Sequence, residues 1–318
     1  MEAIGGYFSL ELPLHEEYHK EAIKLNTGRN CLEYILRVRK YKKVYIPYYT
    51  CEVVLEPFKK LGVDYEFYHI GLHLEIEDKI TLKSKEALLY INYFGLKQRY
   101  IEYLAGKFGA QLIVDNTQAF YSKPIDGVDS FYTCRKFFGV ADGACLYTEK
   151  QLDDDFEQDE SYDRMAHLLK RIDLSAEQGF ADFRKADNGL DNQPIKKMSK
   201  LTQRMMQSID YESVMKRRRK NYQVCHKALA GDNNLDLPLE NDAVPMVYPY
   251  YVRIEGLRQK LIEDKIYIAQ YWPNVLKWCN SGDLEYSMTD NIIPIPVDQR
   301  YGESDIKKII NIIKIYSH

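Results

Sequence analysis

The chain has 318 residues, of which 45% are apolar and 29% are charged, and its formal net charge is −3. This composition is typical of a globular protein with a substantial core, and it lacks the basic excess of a general nucleic-acid binder. No apolar run approaches the roughly 20 residues of a membrane span. The N-terminal segment lacks a secretory signal, and the six cysteines form no C-x-x-C pair. We therefore expect a cytoplasmic protein without membrane or nucleic-acid partners.

The first half of the sequence alternates short β-rich apolar runs with amphipathic helical patterns. This alternation predicts a mostly parallel sheet that is covered by helices on both faces. Ligands in such sheets bind outside the carboxyl ends of the strands. The predicted strands are Val44–Pro47, Tyr65–Ile70, Ala87–Asn92, Gln111–Asp115, Val128–Tyr132 and Ala144–Thr148. The predicted helices between them are Asn30–Tyr41, Cys51–Leu61 and Arg99–Phe108.

The pattern changes near Leu152, after which helices predominate. We therefore predict a large α/β domain over residues 1–175, followed by a helical connection and a smaller α+β domain over residues 176–318. Phe180–Pro194 is polar and predicts irregular structure. Expected helices are Met165–Ile172, Ser199–Ile209, Tyr211–Leu229, Leu257–Asp264 and Ser304–Ile315, and expected strands are Val247–Ile254 and Ile266–Gln270.

The stretch from residue 112 to residue 144 carries the most informative chemistry. Asp115 ends an apolar strand, Gln118 follows three residues later, and Lys136 follows the next predicted strand. Pyridoxal phosphate bonds to a lysine amine and pairs its ring nitrogen with a carboxylate. Arg135 and the phenylalanines after Lys136 would lower the pKa of a lysine amine, and glycines 139 and 143 allow a ligand to approach the backbone. Asp115 also suits the simpler role of a helix N-cap.

A phosphate site is predicted at Thr27-Gly28-Arg29-Asn30, just before an amphipathic helix. The free N–H groups and positive dipole of a helix start attract anions. Thr27 also suits a plain N-cap.

Two further motifs could suggest zinc or RNA binding, but both have simpler structural interpretations. His15-Glu16-Glu17-Tyr18-His19 matches H-E-x-x-H, which binds zinc when it lies on a buried helix. This segment is polar on most sides, so we predict a solvated helix and no metal site. The basic run Lys216–Lys220 lacks interleaved aromatic residues, which favours a solvated helix face, or a dimer or phosphate contact, over RNA binding.

Taken together, these residues resemble the DegT/StrS-type sugar aminotransferase family, which has the fold-type I pyridoxal-phosphate architecture. The resemblance covers most of the chain. Its specific part is the combination of Asp115, Gln118 and Lys136. The matching segments are TGRNCL at 27–32, IPYYTC at 46–51, NYFG at 92–95, VDNTQAF at 114–120, CRKFFGVADGA at 134–144 and IPVDQRY at 295–301.

The resemblance implies an α/β aminotransferase that uses pyridoxal 5'-phosphate and moves an amino group, usually from glutamate, to a nucleotide-linked keto-sugar in amino-sugar or polysaccharide biosynthesis. It also implies a homodimer with active sites at the subunit interface. Lys136 would be the catalytic residue that bonds to the cofactor and transfers the proton. The cofactor-binding residues it implies are Gly28, Arg29, Asn30, Tyr49, Cys51, Asp115, Gln118, Ser130, Thr133 and Lys136.

The chain departs from the family pattern at three places. Cys51 stands where the family often stacks an aromatic ring on the cofactor, and Tyr48 or Tyr49 is the candidate substitute. Phe131 stands at the usual serine, with Ser130 and Thr133 beside it, and Arg29 replaces the threonine of the phosphate loop. For the asparagine that the partner subunit contributes, Asn188 and Asn192 are the candidates.

Two alternatives remain open at this point. One is a pyridoxal-phosphate lyase on the same fold. The other is a non-catalytic homologue that keeps the fold for binding or regulation, although retention of Lys136 and Asp115 disfavours it.

Overall fold

The computed structural model describes residues 4–316, which form two sheets and eleven α-helices. The larger sheet contains β1 to β7, and the smaller one pairs β8 with β9. The strands are β1 Ile23–Leu25, β2 Lys43–Pro47, β3 Asp64–Tyr68, β4 Glu86–Ile91, β5 Leu112–Asp115, β6 Asp129–Thr133, β7 Ala144–Tyr147, β8 Val247–Tyr251 and β9 Ile292–Pro296.

Three helices lie among the strands of the large sheet and eight follow it. Their bounds are α1 Gly28–Arg39, α2 Leu55–Leu61, α3 Gln98–Phe108, α4 Ala166–Asp173, α5 Ala176–Asn188, α6 Lys200–Met206, α7 Tyr211–Leu229, α8 Leu257–Glu263, α9 Val275–Trp278, α10 Leu284–Asn291 and α11 Glu303–Tyr316. None of the described helices is both long and apolar enough to cross a membrane.

The large sheet has the strand order β1-β7-β6-β5-β4-β2-β3. Strands β2 to β6 pair in parallel, whereas β7 is antiparallel to β6 and β1 is antiparallel to β7. Every residue of β5 and β6 is buried, as expected when helices cover both faces of a sheet. The predicted α/β class with a mostly parallel sheet is therefore confirmed.

Helix α1 packs against β6 and β7 of the large sheet, and its two ends are defined by neighbouring residues. Its N-cap is Thr27, whose Oγ1 accepts a hydrogen bond from Asn30 N at 3.2 Å. The helix ends at Lys40, which adopts the left-handed conformation. Arg39 near its end forms a bidentate ion pair with the buried carboxylate of Asp129 on β6, with both N–O distances at 2.7 Å. This pair fixes the helix against the strand that precedes Lys136.

The N-terminal prediction of a solvated helix is wrong. Residues 15–17 have no regular structure, residues 18–22 form a turn and a bend, and β1 follows at Ile23. His19 is 4% exposed, and its Nε2 donates to the carbonyl of Phe120 at 2.7 Å while Nδ1 lies 3.0 Å from Tyr147 Oη. Burial lowers the pKa of His19 to about 4, so the ring is neutral. The two histidines of the motif thus share no helix face, and no metal-binding cluster occurs within residues 4–316.

Three further structural predictions, all for the second half of the chain, are wrong. The segment expected to be irregular contains α5, which begins where Ser175 Oγ caps Gln178 N at 3.3 Å. Ile266–Gln270 is not a strand, and the partner of β8 is instead β9, whose sequence IIPIP contains two prolines. Proline is tolerated there because both strands of a two-stranded sheet are edge strands.

In the basic run on α7, Arg218 is buried rather than solvated, at 1% exposure. Its guanidinium reaches the carbonyl of Phe137, next to Lys136, at 3.3 Å.

The two sheets lie on opposite sides of the expected domain division in sequence. The division at residue 175 falls between α4 and α5, which pack against each other. It stays a prediction, and the terminal residues 1–3 and 317–318 of the two expected domains lie outside the described part.

Candidate active site

A cavity of about 230 Å³ opens at the carboxyl ends of the parallel strands. Its walls include Ile91 at the end of β4, Asp115 at the end of β5 and Thr133 at the end of β6. Gly28, at the start of α1, and Lys136 complete this part of the wall. The sheet topology therefore brings together side chains that are far apart in sequence, at the edge where parallel α/β sheets bind ligands.

Asp115 presents a nearly desolvated carboxylate to the cavity. It is 4% exposed, and its Oδ1 accepts a hydrogen bond from Thr117 N at 2.8 Å. Burial raises the pKa of Asp115, while the charge of Lys136 and the bond from Thr117 act in the opposite direction. A further cationic partner at the carboxylate would offset the cost of burying its charge.

Lys136 reaches the same cavity from the loop that follows β6. Its Nζ donates a hydrogen bond to Thr117 Oγ1 at 3.1 Å. The neighbouring Arg135 is held by an ion pair with Asp187 of α5, at 2.9 Å between Nη2 and Oδ1. Both of these residues also line the cavity. Thr117 thus bonds both to the candidate nucleophile, Lys136, and to the candidate carboxylate, Asp115.

The start of α1 forms another wall of the cavity. A Cβ on Gly28 would lie 3.2 Å from Thr117 Cγ2 and 3.7 Å from Phe131, so a larger residue would crowd the site. Arg29 also lines the cavity, but its guanidinium pairs with Glu56 at 2.9 Å and Asp191 at 2.6 Å. The backbone at this helix start is therefore better placed than Arg29 to receive an anion.

Of the predicted cofactor-binding residues, six line the cavity: Gly28, Arg29, Cys51, Asp115, Thr133 and Lys136. The other four, Asn30, Tyr49, Gln118 and Ser130, make their contacts elsewhere in the fold, and their cofactor roles stay predictions.

Asn30 and Gln118 are both turned into the protein interior. Asn30 Nδ2 donates to Asn26 Oδ1 at 2.8 Å and to the carbonyl of Pro194 at 2.7 Å. Gln118 Oε1 accepts from Phe94 N at 2.9 Å. Both side chains are 1% exposed. These hydrogen bonds hold the loops around the cavity in place.

Ser130 and Tyr49 are not among the residues that line the cavity in the described part of the chain. Successive residues of a strand point to opposite faces, so Ser130 faces away from Phe131 and Thr133, which line the cavity. Tyr49 is fully buried and stacks on Tyr93, with ring centroids 5.7 Å apart. The alternation along β6 was visible in the sequence and would have separated Ser130 from Thr133.

The cavity residues that were not predicted include Thr50, Thr117, Asp187 and Trp272. Thr117 carried a usable signal, because it lies between the two predicted residues Asp115 and Gln118. Thr50 also lies within a segment that matches the family. Trp272 and Asp187 come from helical and irregular regions distant in sequence, and no local pattern marks them.

The donor set of this cavity fits pyridoxal phosphate. Thr50 is 1% exposed and, among residues 4–316, its Oγ1 meets no hydrogen-bond partner. Asp115 is a buried carboxylate whose charge needs a cation, Lys136 supplies an amine, and Gly28 leaves room at a helix start. These are the groups that a phosphorylated, cationic pyridine aldehyde requires.

Solved structures of aminotransferases share this architecture. The putative sugar aminotransferase Spr1654 from Streptococcus pneumoniae, in its PMP form, has a TM-score of 0.61 and 14% identity, over 96% of this chain and 93% of that chain. A DegT DnrJ EryC1 StrS aminotransferase from Brucella abortus has a TM-score of 0.60 and 15% identity, over 94% and 89%.

A third similar structure is DesV from S. venezuelae, with a TM-score of 0.61 and 14% identity over 93% of this chain and 85% of that chain. No protein-family model and no curated protein sequence matches this chain. The sequence resemblance is thus confirmed at the level of architecture: the chain has the fold of the DegT/StrS-type sugar aminotransferases.

Proposed function

We propose that this chain is a pyridoxal-phosphate-dependent aminotransferase that transfers an amino group to a keto-sugar. The observation that carries the proposal is the linked arrangement of Asp115, Thr117 and Lys136 in one cavity at the ends of β5 and β6. The fold shared with solved sugar aminotransferases supports it.

Each residue has a distinct task in this function. When bound, pyridoxal phosphate supplies an electron-withdrawing ring that stabilises negative charge at the carbon bearing the amino group. Lys136 binds the cofactor through Nζ and moves the proton at that carbon. The carboxylate of Asp115 holds the ring nitrogen in its protonated form, because a buried negative charge favours a cationic partner. Thr117 positions both by bonding to each of them.

The anion of the cofactor is assigned to the start of α1. The backbone around Gly28 offers N–H groups that the helix itself leaves unused. Thr133 and Thr50 add buried hydroxyl side chains to the cavity wall for this task. Arg135, held by Asp187, adds positive charge at the same opening.

For the finer identity of the reactants, we propose glutamate as the amino donor and a nucleotide-linked keto-sugar as the acceptor, in amino-sugar or polysaccharide biosynthesis. This part rests on the family resemblance. We also propose a cytoplasmic location, which the six free cysteines support.

We further propose that the protein acts as a homodimer. The α4–α5 hairpin exposes Leu169, Ile172, Phe180 and Phe183, with Ile172 at 83% and Phe180 at 60% exposure. Large exposed apolar patches mark interaction surfaces. The same α5 carries Asp187 at the cavity, so a second copy seated on this hairpin would lie beside the site.

Cofactor uptake tests the proposal directly. The purified protein with added pyridoxal phosphate should gain the absorption band of a lysine-bound cofactor, and borohydride should fix the cofactor on Lys136. Lys136→Ala should lose the band and turnover, whereas Lys123→Ala, at an exposed lysine, should keep both. A folded wild-type protein that takes up no cofactor would contradict the proposal and favour a non-catalytic homologue.

The reaction class is tested with the amino donor. Glutamate should convert the bound cofactor to its amine form, and a keto-sugar should reverse the change. Comparing the same keto-sugar with and without a nucleotide then measures the contribution of the nucleotide. A spectrum that glutamate and other amino donors leave unchanged would contradict the aminotransferase and favour a lyase.

A further inference from the structure

Trp272 lies in the wall of the cavity with an unusual backbone conformation. It belongs to the segment between α8 and α9, far in sequence from every other wall residue described above. Its φ is +56°, in the left-handed region that large side chains rarely adopt. Such a conformation is energetically unfavourable and persists only where the surroundings enforce it.

The surroundings enforce it through Asn274. Its Nδ2 donates to the carbonyl of Thr50 at 2.9 Å, and its Oδ1 accepts from Glu52 N at 3.3 Å. Asn274 therefore clamps the Trp272 segment on both sides of Cys51. The tryptophan is thus tied to the same turn in which the family resemblance implies an aromatic cofactor contact.

The indole ring is also held by aromatic packing. It meets Tyr49 edge to face, with centroids 4.6 Å apart and an interplanar angle of 85°, and Tyr93 at 6.0 Å. Tyr49 itself does not reach the cavity, and Tyr48 stacks on Phe67 instead. Of the aromatic candidates near Cys51, Trp272 is therefore the one that lines the cavity.

We infer that Trp272 supplies the aromatic contact to the cofactor ring that Cys51 cannot make. This inference rests on the proposed function. Aromatic pairs attract each other beyond the effect of burial, and a ring with a protonated nitrogen gains further attraction from an indole. A clamped and strained tryptophan suits this task, because its ring is in place before the cofactor arrives.

A local spectroscopic probe tests the contact without requiring activity. The chain has two tryptophans, Trp272 and Trp278. Trp278 packs on Phe67, with centroids 5.0 Å apart, and is not among the residues that line the cavity in the described chain. Incorporation of 5-fluorotryptophan gives one fluorine resonance for each, and Trp278→Phe assigns them. Titration with pyridoxal phosphate should shift the Trp272 resonance more than that of Trp278.

Substitution measures how strongly the contact contributes. Trp272→Leu should weaken cofactor binding about tenfold, corresponding to about 1.4 kcal/mol, while Trp272→Phe should retain most of the affinity. Trp278→Leu is the matched control and should bind as the wild type does.

Two outcomes would overturn the inference: a Trp272 resonance that stays unchanged while the absorption band saturates, or a folded Trp272→Leu protein with wild-type affinity. If the wild type itself gains no absorption band, the proposed function fails instead.

Discussion

Lys136 Nζ donates a hydrogen bond to Thr117 Oγ1 at 3.1 Å, and the backbone N–H of the same threonine donates to Asp115 at 2.8 Å. Thr117 therefore connects the amine and the carboxylate that the proposed reaction requires. The threonine methyl group also packs near Gly28, so this side chain contributes to the shape of the cavity as well as to its hydrogen bonding.

Removal of the Thr117 hydroxyl should slow the reaction more than it weakens cofactor binding. Thr117→Val keeps the size of the side chain and removes the acceptor for Lys136, so we expect turnover to fall about fivefold, in line with the roughly 1 kcal/mol of a hydrogen bond. Thr117→Ser keeps the hydroxyl and is the matched control. Single-turnover rates and cofactor titrations measure the two effects separately. Equal rates in the Val and Ser variants would contradict a role for the hydroxyl.

His19 should make the protein less stable in acid. The folded protein holds the ring neutral, because burial lowers its pKa from 6.5 to about 4. Below pH 6.5 the unfolded chain takes up a proton that the folded state accepts only near pH 4. The free energy of unfolding should therefore fall by up to about 3 kcal/mol between these two pH values.

Urea unfolding across this pH range checks the His19 prediction. His19→Gln should show a flatter pH dependence than the wild type. His15→Gln, at an exposed histidine of the same motif, should follow the wild type. A His19→Gln profile parallel to that of the wild type would mean that other groups cause the acid sensitivity.

Arg218 should be essential for stability despite having no ion-pair partner among the residues described. Its guanidinium donates to the carbonyls of Phe137, Pro245 and Met246 and to Gln299 Oε1, at 3.0–3.3 Å. Arg218→Ala leaves buried acceptors unsatisfied, so we expect a loss of about 3 kcal/mol or more.

Lysine should rescue Arg218 only in part, since it lacks the planar fork of donors. The neighbouring Arg217 is exposed, and Arg217→Ala should change the free energy of unfolding by less than about 0.5 kcal/mol. Denaturant unfolding measures all three variants. Similar losses in the Arg218→Ala and Arg217→Ala proteins would contradict the structural role of the buried guanidinium.

A charge on the α4–α5 hairpin should dissociate the proposed dimer. Phe180→Asp places a carboxylate in the exposed apolar patch, and burying it in an interface would cost several kcal/mol. Gln178→Asp adds the same charge about 200° around the same helix and should leave the dimer intact. Sedimentation equilibrium gives the mass of each. A monomeric wild type would exclude the proposed dimer. A Phe180→Asp protein that remains dimeric would place the interface elsewhere.

The sequence by itself determined the sheet, the carboxylate at its edge and the lysine beyond it. Strand periodicity, the cap at Thr27 and the position of Asp115 at the end of an apolar run are local features, so they could be identified without coordinates. The predictions from sequence were wrong where the structure depends on contacts between residues that are distant in sequence. The N-terminal motif looked like a solvated helix because its burial depends on Phe120 and Tyr147.

Only the tertiary structure decided which side chains share the cavity. Asp187 on α5 and Thr50 after β2 both line it although they are far apart in sequence, whereas Gln118 Oε1 accepts a hydrogen bond from Phe94 N. Trp272 enters because Asn274 holds a distant segment against the turn around Cys51. Long-range packing leaves no periodic trace in the sequence, so the aromatic wall of the site could be found only in three dimensions.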